Sequence, residues 1–140
     1  MTDELTAQVR MYRLGELGDC FLLCFEQGGA KSHMLIDCGS FRNSAASKAR
    51  LTEVVEDIRA RLDGARLDVV AGTHQHNDHL SGFVHCEAAF REIGVDQVWL
   101  SWLDDDRDPV ARSVGSESKK LRMAVAWAGT TGGPELPVAP

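Results

Sequence analysis

The spacing of apolar positions changes along the chain, and the changes mark out its elements. Residues 8–14 alternate, with Val9 and Met11 on one side, and predict a first strand. Residues 19–26 are apolar nearly throughout, which predicts a strand buried on both faces. Gln27-Gly28-Gly29-Ala30-Lys31 predicts a hairpin turn into a strand over 32–37, and Gly39 ends this β region. The period then lengthens. Leu51, Val54, Val55, Ile58 and Leu62 recur at helical spacing, with Lys48, Arg50, Glu53, Glu56, Arg59 and Arg61 facing water. That pattern predicts a helix capped by Asn43 or Ser44 and stopped by Gly64.

The second half continues as strand 67–71, a helix over 81–93 stopped by Gly94, and a strand over 95–102. An acidic loop with Asp104, Asp105, Asp106 and Asp108 follows, and Pro109 opens a third helix expected over 111–128, weakened by Gly115. Residues 129–140, rich in Gly and Pro, predict a frayed tail after one domain over 1–128. There is no internal repeat. A hairpin region followed by β-α-β-α alternation predicts an α/β fold in which a mixed sheet is covered by helices.

Composition narrows the classes of function. The chain has 140 residues, 44% apolar and 26% charged, which suits one modest globular domain. A net charge of −6 argues against a broad phosphate-binding surface, although bound metal can supply positive charge locally to a nuclease. No stretch approaches the roughly 18 apolar residues of a membrane span, and the N-terminus is neither basic nor apolar. The expectation is therefore a cytoplasmic protein without membrane contact, with Cys20, Cys24, Cys38 and Cys86 as free thiols. No C-x₂-C pair exists, and buried small hydrophobes are the preferred reading of these cysteines over a zinc or redox pair.

One segment carries chemistry. Strand 67–71 runs into Gly72-Thr73 and then His74-Gln75-His76-Asn77-Asp78-His79, which holds three of the five histidines. Near neutral pH the imidazoles are mostly uncharged and the aspartate is ionised, which is the state a divalent cation requires. In extended backbone His74 and His76 project to one side and can reach one ion. Asp78 and His79 project differently and can reach a second. Such donors suit zinc, and also manganese or iron. Two ions about 3.5–4 Å apart can bridge a water and lower its pKa toward neutrality. Gly72 lets the chain turn sharply there, and Gly82 permits close backbone approach as the next helix starts.

Thr73-His74-Gln75-His76-Asn77-Asp78-His79-Leu80-Ser81-Gly82 resembles the T-H-x-H-x-D-H-x-x-G signature of the metallo-β-lactamase superfamily. Leu35-Ile36-Asp37-Cys38-Gly39 resembles that family's strand-end Asp-x-Gly, and Gly15-Glu16-Leu17-Gly18-Asp19-Cys20 is similar to the branch containing the DNA-processing domain of competence channel proteins. The resemblance implies an αββα sandwich, here its N-terminal half. It makes His74 and His76 ligands of a first zinc, and Asp78 and His79 ligands of a second. Asp78 would also orient the attacking water, and Asp37 would steady the ligand loop through hydrogen bonds. The implied activity is hydrolysis of an ester, thioester, lactam or phosphodiester, the substrate being a small molecule or a nucleic acid. In the family the second half brings further His and Asp ligands. After His79 only His85 remains, within the following helix, while His33 lies in a strand interior. The same deficit leaves a sheet face uncovered, which calls for a homodimer or a complementing chain. It also keeps open a non-catalytic metal-binding or interaction module. An iron-dependent redox member fits less well, because those resemble a pattern with glutamate where this chain has His76.

Overall fold

In the computed structural model, which describes residues 4–116, five strands form one mixed sheet in sequence order. Strands β1 (Thr6–Met11), β2 (Cys20–Gln27) and β3 (Ala30–Cys38) are antiparallel, and β4 (Leu67–Gly72) and β5 (Val95–Leu100) run parallel to β3. Helix α1 (Ala45–Leu62) links β3 to β4, and helices α2 (Asn77–His85) and α3 (Glu87–Ile93) link β4 to β5. The α/β class with a mixed sheet and helices is therefore observed.

Local chemistry explains the boundaries. Gly28 and Gly29 have φ of 58° and 81°, the primed turn geometry that matches strand twist in a two-residue hairpin. Ser44, rather than Asn43, caps α1, its hydroxyl accepting from the Ser47 N–H at 3.1 Å. Asp63 (φ 48°) already takes a left-handed conformation, so α1 reverses hand one residue before the predicted stop at Gly64. The predicted apolar stripe Leu51, Val54, Val55, Ile58 and Leu62 is the buried face of α1. It packs on Leu22, Leu35 and Val70, which the strand register aligns on one side of the sheet. Each such side chain stabilises the fold by about 1.5–3 kcal/mol on full burial. Tyr12, just after β1, donates its hydroxyl to Asp57 of α1 at 2.8 Å, and Arg61 donates to the same carboxylate at 2.7 Å. The Arg61 hydrogen bond holds the Asp57 carboxyl below its ordinary range, while burial and then Asp57 itself push the Tyr12 phenol up.

The other side of the sheet is apolar but open. Register aligns Leu23 with Met34 and Val69, and Phe21 with Ile36, Ala71 and Trp99, and these side chains are half-buried or exposed. Among the described residues strand β2 is thus covered on one face only, where burial on both was expected. The described helices of this unit cover the side bearing Cys20 and Leu22.

Two further expectations are corrected. The single helix predicted over 81–93 is two helices broken at Cys86, and the first starts at Asn77, inside the His-rich motif. Strand β5 stops at Leu100 instead of Trp102. Trp99 and Trp102 are 53% and 59% exposed. The chain divides after Leu100 into two compact units. In the second, a 3-10 turn (Trp102–Asp104) precedes Asp105, whose carboxylate holds Arg107, and Asp108, which accepts from the Val110 and Ala111 N–H groups. Asp108 so caps a helical segment over 109–116, with Pro109 in its first turn as predicted. The remainder of the predicted helix to residue 128, and the tail over 129–140, lie outside the described residues.

Leu35→Ala should cost about 2–5 kcal/mol in denaturant unfolding, since Leu35 is fully buried between sheet and α1. Val9→Ala on the open face should stay within about 0.5 kcal/mol. Equal costs would show that the core is misplaced.

Candidate metal centre

The site is built around a register shift. Cys20 pairs with Cys38 but Phe21 pairs with Ile36, so Asp37 is the extra residue of a β-bulge, with φ 54°. A non-glycine residue in that conformation costs about 1 kcal/mol, and what Asp37 does there offsets it. Its Oδ1 accepts from the Thr73 N–H at 2.8 Å and its Oδ2 accepts from the Thr73 hydroxyl at 2.6 Å. The same Oδ2 lies 2.8 Å from His79 Nδ1. With Asp37 only 3% exposed, such partners are what make a buried carboxylate tolerable.

Backbone packing brings the motif to that carboxylate. Strand β4 ends at Gly72, and His76, in extended backbone, is the residue from which α2 springs. Its carbonyl accepts from the His79 and Leu80 N–H groups at 3.0 and 3.1 Å. Asp78 and His79 therefore sit on the first helical turn, where a carboxylate is favoured by the helix dipole. Gly39 and Gly82 are required for this approach. A Cβ on Gly82 would lie 2.6 Å from the Cys38 carbonyl, and one on Gly39 would strike the backbone of Asp78 and His79 at 2.6 Å. The loop before β2 completes the stitching: the Asp19 N–H donates to the Asp78 carbonyl at 3.0 Å, and the Gly39 N–H to the Asp19 carbonyl at 3.2 Å.

The four predicted ligand residues lie at this end of the sheet and touch pairwise rather than as one group. The His74 ring centre is 3.7 Å from that of His79 and 4.6 Å from that of His76. Asp78 Oδ2 is 3.3 Å from His79 Nε2. His79 is buried, His74 and Asp78 are half-buried, and His76 is exposed. The Asp37 hydrogen bond assigns the His79 proton to Nδ1, leaving the Nε2 lone pair on the side of Asp78. A carboxylate behind a histidine in this way fixes the ring and raises its basicity as a ligand. Neutral imidazoles with a carboxylate fit a divalent cation of the zinc, manganese or iron type.

Sequence reasoning did not single out Asp19. Among the described residues, Asp19, Asp37 and His79 form the group whose ligand atoms all lie within 4.8 Å of one another. Its signal is its place directly before Cys20, which pairs with Cys38 and so sets Asp19 beside Asp37. The two carboxylates differ in role. Asp37 is within hydrogen-bond reach of His79 Nδ1, whereas Asp19 is 3.7 Å from the same nitrogen and half-exposed.

The other candidates lie elsewhere. His85, on the last turn of α2, is 3.4 Å from the Thr52 hydroxyl of α1. His33 is buried within β3, its N–H donating to Asp68 at 2.6 Å. Cys20, Cys38 and Cys86 are buried free thiols and Cys24 is a half-buried one. Hydrogen bonding to Cys20, together with burial, pushes the Cys38 thiol well up, and burial raises Cys86. Protonated thiols are poor ligands, in keeping with their reading as small core residues.

Compared with known proteins, the sequence matches the family model of the metallo-beta-lactamase superfamily over residues 14–120. No curated protein and no solved structure matches the chain.

Asp37→Asn keeps the side chain's size but removes the charge behind His79. Zinc affinity, measured by chelator competition, should fall by about 10–100-fold. An unchanged affinity would mean that the Asp37–His79 hydrogen bond does not tune the site.

Proposed function

Because the chain belongs to the metallo-β-lactamase superfamily, we propose that it carries the ligand loop of a metal-dependent hydrolase. The reaction class is attack of water on an ester, thioester, lactam or phosphodiester bond. His74 and His76 hold one ion, and Asp78 and His79 a second. Zinc is the preferred metal, with manganese or iron compatible with the same donors. When bound, such ions supply the charge that lowers the pKa of water toward neutrality. Asp78 orients the attacking water through its carboxylate, and Asp37 keeps the His79 proton on Nδ1. The observation that carries this reading is the gathering of three imidazole rings while Asp37 holds the far nitrogen of His79.

A second reading has its own support. The tight group of ligand atoms is Asp19, Asp37 and His79, not the four motif residues together. A non-catalytic module that binds metal through this loop, and acts by contact, is consistent with that. Under either reading the open apolar side of the sheet, with Val9, Met11 and Trp99 more than half exposed, is a surface for a second copy or a complementing chain. Among the described residues no helix is long and apolar enough to cross a membrane. The free thiols of the chain favour a reducing compartment such as the cytoplasm.

Elemental analysis of the purified chain, with assays on a generic phosphodiester and a generic ester, separates the readings. The hydrolase reading expects stoichiometric metal and a rate that falls by more than about tenfold in His76→Ala, since even outer partners of a metal site cost that much. Stoichiometric metal with equal rates supports the non-catalytic module. Metal well below one equivalent with equal rates sinks both. Light scattering after size exclusion should show an assembly larger than one chain, and a stable well-folded monomer would remove the covering partner.

A further inference from the structure

A groove of about 750 Å³ opens between the β1 edge of the sheet and the C-terminal end of α1. It is separate from the metal centre. His33, which lines it, precedes Asp37 by four residues in β3, or roughly 13 Å of strand. The strand register puts Gln8, Cys24 and His33 in one row across β1, β2 and β3.

His33 is the informative residue. It is only 7% exposed, and its backbone N–H is taken by Asp68. Its ring nitrogens make no hydrogen bond to any described residue. His33 lines the groove. Arg10, Lys31 and Arg61 line the same space. The carboxylates nearby are mostly engaged: Asp57 by Tyr12 and Arg61, Asp68 by His33, and Glu26 by Lys31 at 3.9 Å, leaving Asp63 on the rim. Arg10 has no carboxylate within ion-pair distance among the described residues, and lies 6.0 Å over the Tyr12 ring. A guanidinium that touches only the Tyr12 ring and the field of Asp57, and a nearly buried imidazole without a hydrogen bond among the described residues, thus line one groove. Both groups donate hydrogen bonds, and both are completed by an oxyanion.

We propose that this groove binds a small oxyanion, a phosphate or a carboxylate, held by the Arg10 guanidinium and the His33 ring, with Lys31 adding charge. Leu22, Leu62 and Met11 give the rest of the groove an apolar wall for the body of the ligand. The site does not depend on the hydrolase reading.

Isothermal titration of the full chain, treated with chelator, with inorganic phosphate and separately with acetate tests the proposal. Saturable binding of either ion is expected, and the ion that binds identifies the class. Arg10→Ala and His33→Ala should each weaken it by about tenfold or more, the effect of removing one charge-assisted hydrogen bond. His76→Ala, at the metal centre, should leave it unchanged. Arg10 is exposed, so its variant reports binding even if His33→Ala fails to fold. No saturable binding of either ion, full affinity in Arg10→Ala, or loss in His76→Ala would each overturn the proposal.

Discussion

The Asp37 carboxylate is the contact on which the geometry of the loop depends. It binds the Thr73 amide and hydroxyl at the end of β4 and faces His79 Nδ1 on the first turn of α2. One buried group therefore joins the end of β3, the end of β4 and the start of α2. It reaches all three because the bulge at 37 turns it away from the regular strand alternation. The left-handed backbone there is a local cost that only these partners make worthwhile. Gly39 and Gly82 serve the same arrangement from the backbone side, since a methyl group at either would push α2 away from β3.

Much of this was legible in the sequence because it rests on periodicity and turn chemistry. The α1 stripe, the Gly28-Gly29 hairpin and the β-α-β order all follow from rules that act over a few residues. The errors share one cause, which is that tertiary packing overrode local pattern. The start of α2 was misplaced because His74–His79 reads as a polar loop, whereas packing on β3 winds its second half into a helix. The apolar run of β2 predicts two covered faces, and among the described residues one is covered. An apolar strand tells that both faces avoid water, not what covers them. Asp19 was overlooked because its proximity to His79 comes from a cross-strand pair, Cys20 with Cys38, distant in sequence.

The two faces of the sheet divide the labour of the chain. The helix-covered face supplies the core: Leu35, Ile58, Val54 and Val55 are essentially inaccessible. The open face contributes little burial within the described residues. Its half-buried Phe21, Leu23 and Met34 instead form a surface whose covering would add stability on association. The ligand loop lies at the carboxyl end of β4, where α/β sheets commonly place their sites. Burial decreases from His79 outward to His76, so the supporting part of the site is fixed by the core and the outer part remains open to solvent.

That gradient yields the most direct test of the account, which is X-ray absorption spectroscopy at the zinc edge of the zinc-loaded chain. Coordination through His74, His76, Asp78 and His79 predicts a shell of nitrogen and oxygen at about 2.0–2.2 Å, with the outer scattering typical of imidazole. Sulfur scattering at about 2.3 Å would place the metal on the cysteines and contradict the account.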